Sequence, residues 1–459
     1  MNTDPNTSEK VLAENLLARA LVQTVSSNMN RSRTITNELM QVTVNTLVET
    51  DRIFRYDIRR NIAEAPWNGW YTQLTNFKDV YKFAQENTVD ENNTKAYMAI
   101  SLICQAWVHS IITDTYGDTP YSESNRARDG IYAPKFDLQE DIYADMFAKL
   151  EEANNILKGV TKNVSSVSDP VYKGNVSLWR KFGNSLYLRL LLRVSGKAEV
   201  AANAVAKIKE IVDVNPANYP IINTNEESAI LRWTGLTPFN SPFANMQDSD
   251  WRYPKACSYF VDKLDLSADP CISRWITEFN GLYEGIPSGY TYGETPTAKS
   301  NIVYLRTEPL LGNMLNYAEV QLILAEAAAK GWVTSKNAKT CYDAGATARI
   351  TLWGRSVGNY LNGTMVAWNE SATLEAKMEK IHWQKYLALF YTDMQAWVEY
   401  RRTGHPVLPK GAGLRNDGIM PTRLFYPISI QAANATNYNN AVSAQGPDDL
   451  KTLMWWQKP

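Results

Sequence analysis

Residues 316–332 read NYAEVQLILAEAAAKGW, and this stretch decides the fold class. Most of it consists of Ala, Leu, Glu and Lys, which favour helices strongly. Val320, Leu324 and Ala327 fall on one apolar stripe at helical spacing. Gly331 stands where a left-handed residue commonly ends a helix. The stretch therefore predicts one helix that buries one face and ends just before Gly331.

The residues that follow predict a partner for this helix. Ala338, Tyr342 and Gly345 recur at spacings of four and three. In the second helix of a tetratricopeptide hairpin, small residues at such positions let the paired helix approach, and the aromatic ring fills the groove between them. The sequence thus favours a fold built from helical hairpins.

Length, charge and composition narrow the class of protein. The chain has 459 residues, 44% of them apolar, and a formal net charge of −1. Basic residues occur in runs no longer than a pair, which argues against nucleic acid as a partner. No Gly/Ser-rich or Pro-rich linker divides the chain, and stacked helical hairpins can form one large body. A single domain over residues 1–459 is therefore expected.

Helical patterns dominate this domain. They predict an all-α, tetratricopeptide-like helical-repeat superhelix with long irregular loop insertions. The helical core is predicted over about 10–215 and 315–402, and an irregular C-terminal segment over 403–459. The predicted helices are Lys10–Asn28, Thr36–Arg60, Trp67–Gln85, Thr94–Thr113, Leu138–Leu157, Leu178–Val194, Ala198–Val212, Tyr317–Lys330, Ala338–Leu352, Leu374–Phe390 and Met394–Arg401.

The main insertion, about residues 233–304, is the expected binding surface. Aromatic residues make up 13 of its 72 positions, a higher share than the 11% of the whole chain. Long loops inside compact domains are usually functional or disordered, and high aromatic content argues against disorder. A flat ring can cover the C–H face of a sugar while polar neighbours bind its hydroxyls. The candidates are Trp251, Tyr253, Trp275, Tyr283, Tyr290 and Tyr292, together with Trp67, Trp70 and Tyr71 at the start of a helix.

Each of these aromatic residues has a second interpretation. A ring in a long loop can equally pin that loop to the helices, and a ring at the start of a helix can pack into the core. The sequence does not separate ligand contact from packing, because an irregular loop has no periodicity that identifies its inner face.

The sequence offers little for catalysis. His109, His382 and His405 lie in no nucleophile or zinc motif, and structural roles are expected for them. Glu319 and Glu326 stand two turns apart on one helix face, about 10.5 Å by helix rise. A glycosidase needs two carboxylates across a cleft, roughly 5–9.5 Å apart. A non-catalytic protein without a cofactor or metal is therefore expected.

Charged residues and cysteines have structural interpretations. Arg189 and Arg193 follow apolar residues on one helix face, so they are expected to point inward and to require carboxylate partners. Asp114 and Asp118 lie in a segment that lacks EF-hand spacing, and a turn at Gly117 is expected instead of a calcium site. The cysteines, which have no C-x-x-C spacing, are expected to be buried apolar residues, although a pair between two of them is possible. They are Cys104, Cys257, Cys271 and Cys341, and the possible pair is Cys257 with Cys271.

The sequence of residues 316–332 resembles that of the SusD/RagB family, in particular the branch whose corresponding helix contains Tyr-Ala-Glu, Ala-Glu-Ala and Gly-Trp. Further blocks similar to that family follow in the family's order and extend from about Pro66 to Trp456. One departure is Ile430, where the family usually has Glu, so one ion pair of the family is not expected here. The blocks are DTYGDTPYS at 114–122, APKFD at 133–137, WRKFGNSLYLRL at 179–190, IHWQKY at 381–386, and PTR with Tyr-Pro at 421–427.

The resemblance implies a function that the residues alone do not show. Members of the family are lipoproteins on the outer face of a Gram-negative outer membrane. They capture an oligosaccharide and, acting as a lid, pass it to a SusC-like TonB-dependent transporter without making or breaking a bond. Their acylated cysteine lies a few residues before a segment like NTDPN at 2–6, so an N-terminal lipid anchor ahead of this segment is implied.

Three alternatives to oligosaccharide capture remain open at this point. A RagB-like protein would capture peptides, which need backbone hydrogen bonds and a longer groove. A helical-toroid glycoside hydrolase would need a facing carboxylate pair. A general repeat scaffold would bind protein partners.

Overall fold

Helices carry most of the structure. The computed structural model describes residues 12–47, 52–86, 90–297 and 299–458, and it is 57% helix and 4% strand. Long helices that are neighbours in the sequence pack against each other, as in helical hairpins. The predicted all-α, helical-repeat fold class is confirmed.

The helices fall into three groups along the chain. The first group is α1 (Ala13–Arg31), α2 (Glu64–Glu86), α3 (Glu91–Tyr116), α4 (Gln139–Lys158), α5 (Val176–Val194) and α6 (Ala198–Lys209). Short helices within the insertion are α7 (Asp248–Arg252), α8 (Ser258–Leu266) and α9 (Ile272–Trp275). The last group is α10 (Tyr317–Ala329), α11 (Ala338–Leu352), α12 (Leu374–Ala388), α13 (Gln395–Thr403), α14 (Ile428–Ala433) and α15 (Ala435–Gln445).

Three short antiparallel strand pairs connect distant parts of the chain. The pair of β1 with β5 ties the segment after α1 to the insertion, and the pair of β4 with β6 leads into α10. The strands are β1 (Thr43–Asn45), β2 (Thr119–Pro120), β3 (Phe136–Asp137), β4 (Ala229–Ile230), β5 (Pro254–Ala256) and β6 (Asn313–Leu315), and β2 pairs with β3.

One predicted helix, Thr36–Arg60, is wrong. Helical turns continue α1 only as far as Leu39, and the chain then enters β1. Gln41 and Tyr56 have positive φ values of 55° and 60°, which a continuous helix does not contain. The β-branched residues before Asn45 pair with the insertion instead, so a long-range pairing overrides the local helical pattern. Residues 48–51 of this prediction, and the first two of Lys10–Asn28, lie outside the described residues.

The hairpin of α10 and α11 packs as the small-residue pattern predicts. A Cβ atom added at Gly345 would lie 2.7 Å from Cγ of Leu322 and 3.2 Å from the carbonyl oxygen of Ala318. The two helices therefore approach at a position where only glycine fits without a shift. Tyr342 is buried and its hydroxyl donates to the carbonyl of Val366 at 2.7 Å, so the ring also anchors the segment that follows α11.

Helices from the first and the last group share one apolar core. Leu17, Trp107, Trp179, Leu324 and Trp397 all belong to it. Among the described residues, α3 alone is long and apolar enough to cross a membrane, but 94% of its most apolar window is buried inside the structure. It is therefore placed as a core helix. The division of the chain into one domain of 1–459 stays a prediction.

Substituting Gly345 by Ala tests the close approach of α10 and α11. The added methyl group has to displace Leu322, so the free energy of unfolding should fall by about 1–3 kcal/mol, although Ala favours helices by about 1 kcal/mol. Gly69→Ala in α2 is the matched control, because its nearest neighbour is the rotatable Ser27 hydroxyl at 3.1 Å. Urea unfolding measures both variants, and a more stable Gly345→Ala protein would contradict the packing argument.

Candidate functional site

Both inward-facing arginines of α5 have carboxylate partners. Arg189 donates to Glu319 through Nε at 2.7 Å and Nη2 at 2.6 Å, and both side chains are buried. Arg193 pairs with the carboxylate of Asp114 and donates to Gln395 at 2.6 Å. The prediction that both arginines point inward and take carboxylate partners is confirmed. These pairs remove Glu319 and Asp114 as candidates for surface chemistry.

Asp114 and Asp118 lie at either side of the predicted turn. Gly117 has a φ of 89° and ends α3. Asp118 accepts the backbone N–H of Gln139 at 2.8 Å and so caps the start of α4. The two carboxylates therefore serve different internal partners, as the turn interpretation implies.

A second buried network surrounds Glu326. Oxygen or nitrogen atoms of Glu326, His382 and Glu399 lie within 4.8 Å of one another, a spacing suited to a metal ion, and no other such group occurs in the described part of the chain. The guanidinium group of Arg402 supplies the positive charge between the two carboxylates. It donates to Glu326 at 2.9 and 2.7 Å and to Glu399 at 2.6 Å. Lys385 lies 3.0 Å from Glu399. The carboxylates are therefore compensated without a metal.

The pKa values of Glu326 and His382 agree with an ion-pair network that is complete without a metal ion. Burial alone would raise the pKa of Glu326, but the bidentate Arg402 outweighs it and holds that pKa well below its usual range. Burial lowers the pKa of His382 to about 4 despite the neighbouring carboxylates. A permanently ionised Glu and a neutral His inside the core have no general acid–base role at a surface.

The remaining histidines and the cysteines are also internal or paired. His109 is buried and its ring lies 4.3 Å from that of Tyr121, and His405 lies 3.2 Å from Glu375. The four cysteines are buried and free, so Cys257 and Cys271 do not form the disulfide that the sequence left possible.

Four of the predicted ligand-binding aromatics are packed in the core. Trp275 packs against both Phe260 and Phe390, with ring centroids at 6.0 and 4.5 Å, and Trp251 meets the edge of Phe243 at 5.4 Å. The other two are Trp67, whose ring contacts Tyr71 and Tyr116, and Trp70, whose indole N–H donates to Asn28 at 2.8 Å.

The predicted tyrosines are more accessible. Tyr292 is 50% exposed and Tyr253 is 36% exposed, whereas Tyr283 and Tyr290 are half-buried. Tyr71 is half-buried too, and its hydroxyl donates to the carbonyl of Pro120 at 2.7 Å. The structure therefore divides the predicted set into buried tryptophans and surface tyrosines. Ligand contact by any of them stays a prediction.

Tyr290 and Tyr292 belong to a cluster that we call the aromatic platform, formed with Phe54 and Arg55. The Phe54 and Tyr290 rings lie 5.0 Å apart at 39°. The guanidinium carbon of Arg55 lies 5.0 Å from the Phe54 ring, 5.9 Å from Tyr290 and 5.7 Å from Tyr292. Because Arg55 is buried and Tyr292 is half exposed, the cation supports the rings from within and leaves ring surface open to solvent.

Close backbone approach holds the platform loops together. The N–H of Gly413 donates to the carbonyl of Gly289 at 2.8 Å, and that of Arg415 donates to the carbonyl of Arg55 at 2.6 Å. A Cβ atom at Gly413 would lie 2.2 Å from the carbonyl oxygen of Tyr290. Glycine is required at this position, and three loops far apart in the sequence thereby form one surface.

Polar groups lie around and beneath this surface. Arg415 is exposed at its rim and supplies donor groups. Glu38 accepts the backbone N–H of Phe54 at 3.2 Å, and burial raises the pKa of Glu38 to about 7. An aromatic surface with guanidinium groups nearby suits a ligand that has both apolar faces and hydroxyl groups.

Sequence reasoning missed half of the aromatic platform. Phe54 and Arg55 fall in the helix that was predicted wrongly, and residues 409–418 were placed in an irregular C-terminal segment. The sequence PKGAGLRNDG at 409–418 is rich in Gly and carries Arg415, and that combination is the signal that could have marked a binding loop.

A cavity lies elsewhere, and its lining mixes apolar residues with polar ones such as Arg19 and Gln23. It measures about 740 Å³ and lies between α1 and the loops at Val167 and Phe239. Its walls include Ala18 and Val22, and Lys173 covers the ring of Phe239 at 5.3 Å. The Phe54–Tyr290 ring pair and the solvent-exposed ring of Tyr292 lie at the platform and not at this cavity.

The described residues thus form a helical-repeat protein with an aromatic loop surface, and the core carboxylates Glu319, Glu326 and Asp114 are paired with arginines. The chain belongs to the SusD-like family described as "Starch-binding associating with outer membrane", which matches residues 5–427.

Solved structures share this fold over almost the whole chain. A SusD homolog from Bacteroides fragilis is 25% identical, with a TM-score of 0.83, and the match covers 98% of this chain and 100% of that one. A chitin-binding protein is 26% identical, with a TM-score of 0.81 and coverage of 97% and 99%. A chitin-binding SusD homolog from Flavobacterium johnsoniae is 22% identical, with a TM-score of 0.83 and coverage of 96% and 98%, which shows the fold alone. Comparison with curated proteins found no match.

Acid titration tests the neutral state of buried His382. The pKa of His382 is about 4 in the folded protein and ordinarily 6.5, so between pH 4 and 6.5 the unfolded chain binds a proton that the folded chain does not. The free energy of unfolding should therefore fall as the pH drops from 6.5 to 4, by up to about 3 kcal/mol from this residue. Urea unfolding across this range should show a shallower pH dependence for His382→Gln. An unchanged slope in that variant would contradict the assignment.

Proposed function

We propose that the protein is a non-catalytic binding protein that captures an oligosaccharide at the cell surface. The aromatic platform carries this proposal. Tyr292 and Tyr290 offer ring faces for the C–H side of a pyranose, and Arg415 at the rim offers donors for hydroxyl groups. The starch-binding description of the family and the chitin-binding name of one similar structure support the same ligand class.

The alternatives fit the platform less well. Hydrolysis by a carboxylate pair would need two accessible acids, whereas Glu319 and Glu326 are buried in ion pairs with Arg189 and Arg402. Peptide capture by strand addition would need a strand edge, and the described strands are two or three residues long. An oligosaccharide is therefore the proposed ligand.

The proposed place of action is the outer face of the outer membrane. The family description names association with that membrane. An N-terminal lipid anchor and a SusC-like TonB-dependent transporter as partner complete the proposal, and both rest on the resemblance to the family. In this arrangement the platform captures the glycan and the transporter receives it.

Tyr292→Ala tests the platform. Loss of one ring face should weaken binding of starch- or chitin-derived oligosaccharides by about 1–3 kcal/mol, with little change in the melting temperature because the ring is half exposed. Tyr304→Ala, at a residue that is 60% exposed in the same insertion, is the matched control and should bind normally. Trp275→Ala should behave in the opposite way, with a loss of about 3–5 kcal/mol of stability from an emptied core position. Calorimetry and thermal melts of the three variants measure this, and unchanged affinity in Tyr292→Ala would move the site elsewhere.

Copurification tests the proposed partner. The acylated protein, expressed with its outer-membrane transporter and extracted in mild detergent, should elute with that transporter in size-exclusion chromatography. The contact has to persist while the lid opens and closes, so an extensive interface is expected. Recovery of only the free lipoprotein, under conditions that preserve another known outer-membrane complex, would argue against the partnership.

A further inference from the structure

A groove separate from the aromatic platform lies between α8, α12 and the loop after α13, and we call it the Trp383 groove. It has a volume of about 300 Å³. Its walls are formed by Tyr259, Trp383 and Val407, with Lys263 and Glu379 among the polar residues of its lining. None of these residues was singled out as a ligand candidate by the sequence.

Two aromatic walls of the groove meet at a right angle. The ring centroids of Tyr259 and Trp383 are 6.5 Å apart and their planes differ by 88°. Val407 is 70% exposed and Met365 is 37% exposed, so apolar surface continues along the rim. This corner offers one ring face to the C–H side of a sugar and keeps polar groups at its edges.

The polar groups of the groove can serve hydroxyl groups. Burial raises the pKa of Tyr259, with Cys257 and Glu379 adding to the rise, so its phenol stays neutral. Lys263, Lys380 and Glu379 line the groove as well. A phenol hydroxyl, a carboxylate and two ammonium groups therefore lie around one small space that also has apolar walls.

The groove and the platform border the same small cluster. Val44, Phe54, Cys257 and Ile286 pack together, and both Tyr259 of the groove and Tyr290 of the platform lie against them. These two tyrosines therefore pack against one common cluster.

A single loop also runs from one surface to the other. Pro406 and Val407 line the groove, and the same loop then reaches the platform at Gly411 and Gly413, which contact the backbone at Gly289 and Tyr290. The two surfaces thus share both a packing layer and a continuous stretch of backbone.

We propose that the Trp383 groove is a second sugar-binding subsite, which holds one pyranose of the chain whose other residues lie on the aromatic platform. This inference rests on the proposed capture of an oligosaccharide. Its consequence is selection by length, because only a chain long enough to pass from the platform over Tyr259 reaches the groove. The second contact then acts without an independent loss of translational freedom.

Binding of an oligosaccharide ladder tests the subsite. Val407→Asp places a carboxylate against the apolar rim at an exposed position, so the fold should be retained, and Trp383→Leu removes the ring while it keeps an apolar side chain. Calorimetry with maltooligosaccharides and chitooligosaccharides of increasing length should show wild-type affinity rising with length. In both variants the affinity for the longest chains should fall by at least about fivefold, toward the value for short chains, which should not change.

The platform variant separates this inference from the proposed function. Tyr292→Ala should weaken short and long chains alike, and thermal melts of all variants confirm that they are folded. Equal losses for short and long chains in Val407→Asp and Trp383→Leu, or no loss in either, would overturn the second subsite while capture at the platform stands. No binding of either ladder by the wild type would overturn the proposed function and the subsite with it. No effect of Tyr292→Ala would move the capture site away from the platform, and would overturn the subsite as an extension of the platform.

Discussion

The arrangement of the helices depends most on the buried carboxylate of Asp114 at the end of α3. It pairs with Arg193 of α5 and accepts hydrogen bonds from Tyr143 of α4 at 2.7 Å and from Trp456 at 2.9 Å. The carbonyl of the same residue accepts from Arg401 of α13 at 2.7 Å. A buried charge that loses its partner costs about 3–5 kcal/mol. This constraint therefore selects one relative placement of four helices and the C-terminal turn.

Buried arginine–carboxylate pairs occur at other places in the helical core as well. Arg189 with Glu319, and Arg402 with Glu326 and Glu399, join helices of the first group to α10 or lie between helices of the last group. Each carboxylate that the sequence offers on these helices is used to compensate an arginine. These ion pairs fix the helices relative to one another, and the helices in turn hold the loops between them in place.

The loops form a surface because their backbones meet closely. Gly413 lies against Gly289, Arg415 hydrogen-bonds to Arg55, and β1 pairs with β5. A loop that is fixed at its backbone can present aromatic rings without burying them completely. The buried Arg55 and the half-exposed Tyr292 show how such a surface is built, with a cation beneath the ring and solvent above it.

The sequence by itself determined most of the long helices and the family pattern, because helix propensity and the 3.6-residue periodicity are local properties. The helix predicted over Ala338–Leu352 begins and ends at those residues in the structure. The inward direction of the Arg189 side chain followed from the face of the helix on which it lies. Only the tertiary structure decided which carboxylate each arginine takes and which aromatics reach solvent. Trp275 and Tyr292 lie in one irregular insertion and have no periodicity to separate them, yet one is buried and the other is half exposed. The platform joins residues near positions 54, 290 and 413, and contacts between positions so far apart arise from packing, which no local pattern records.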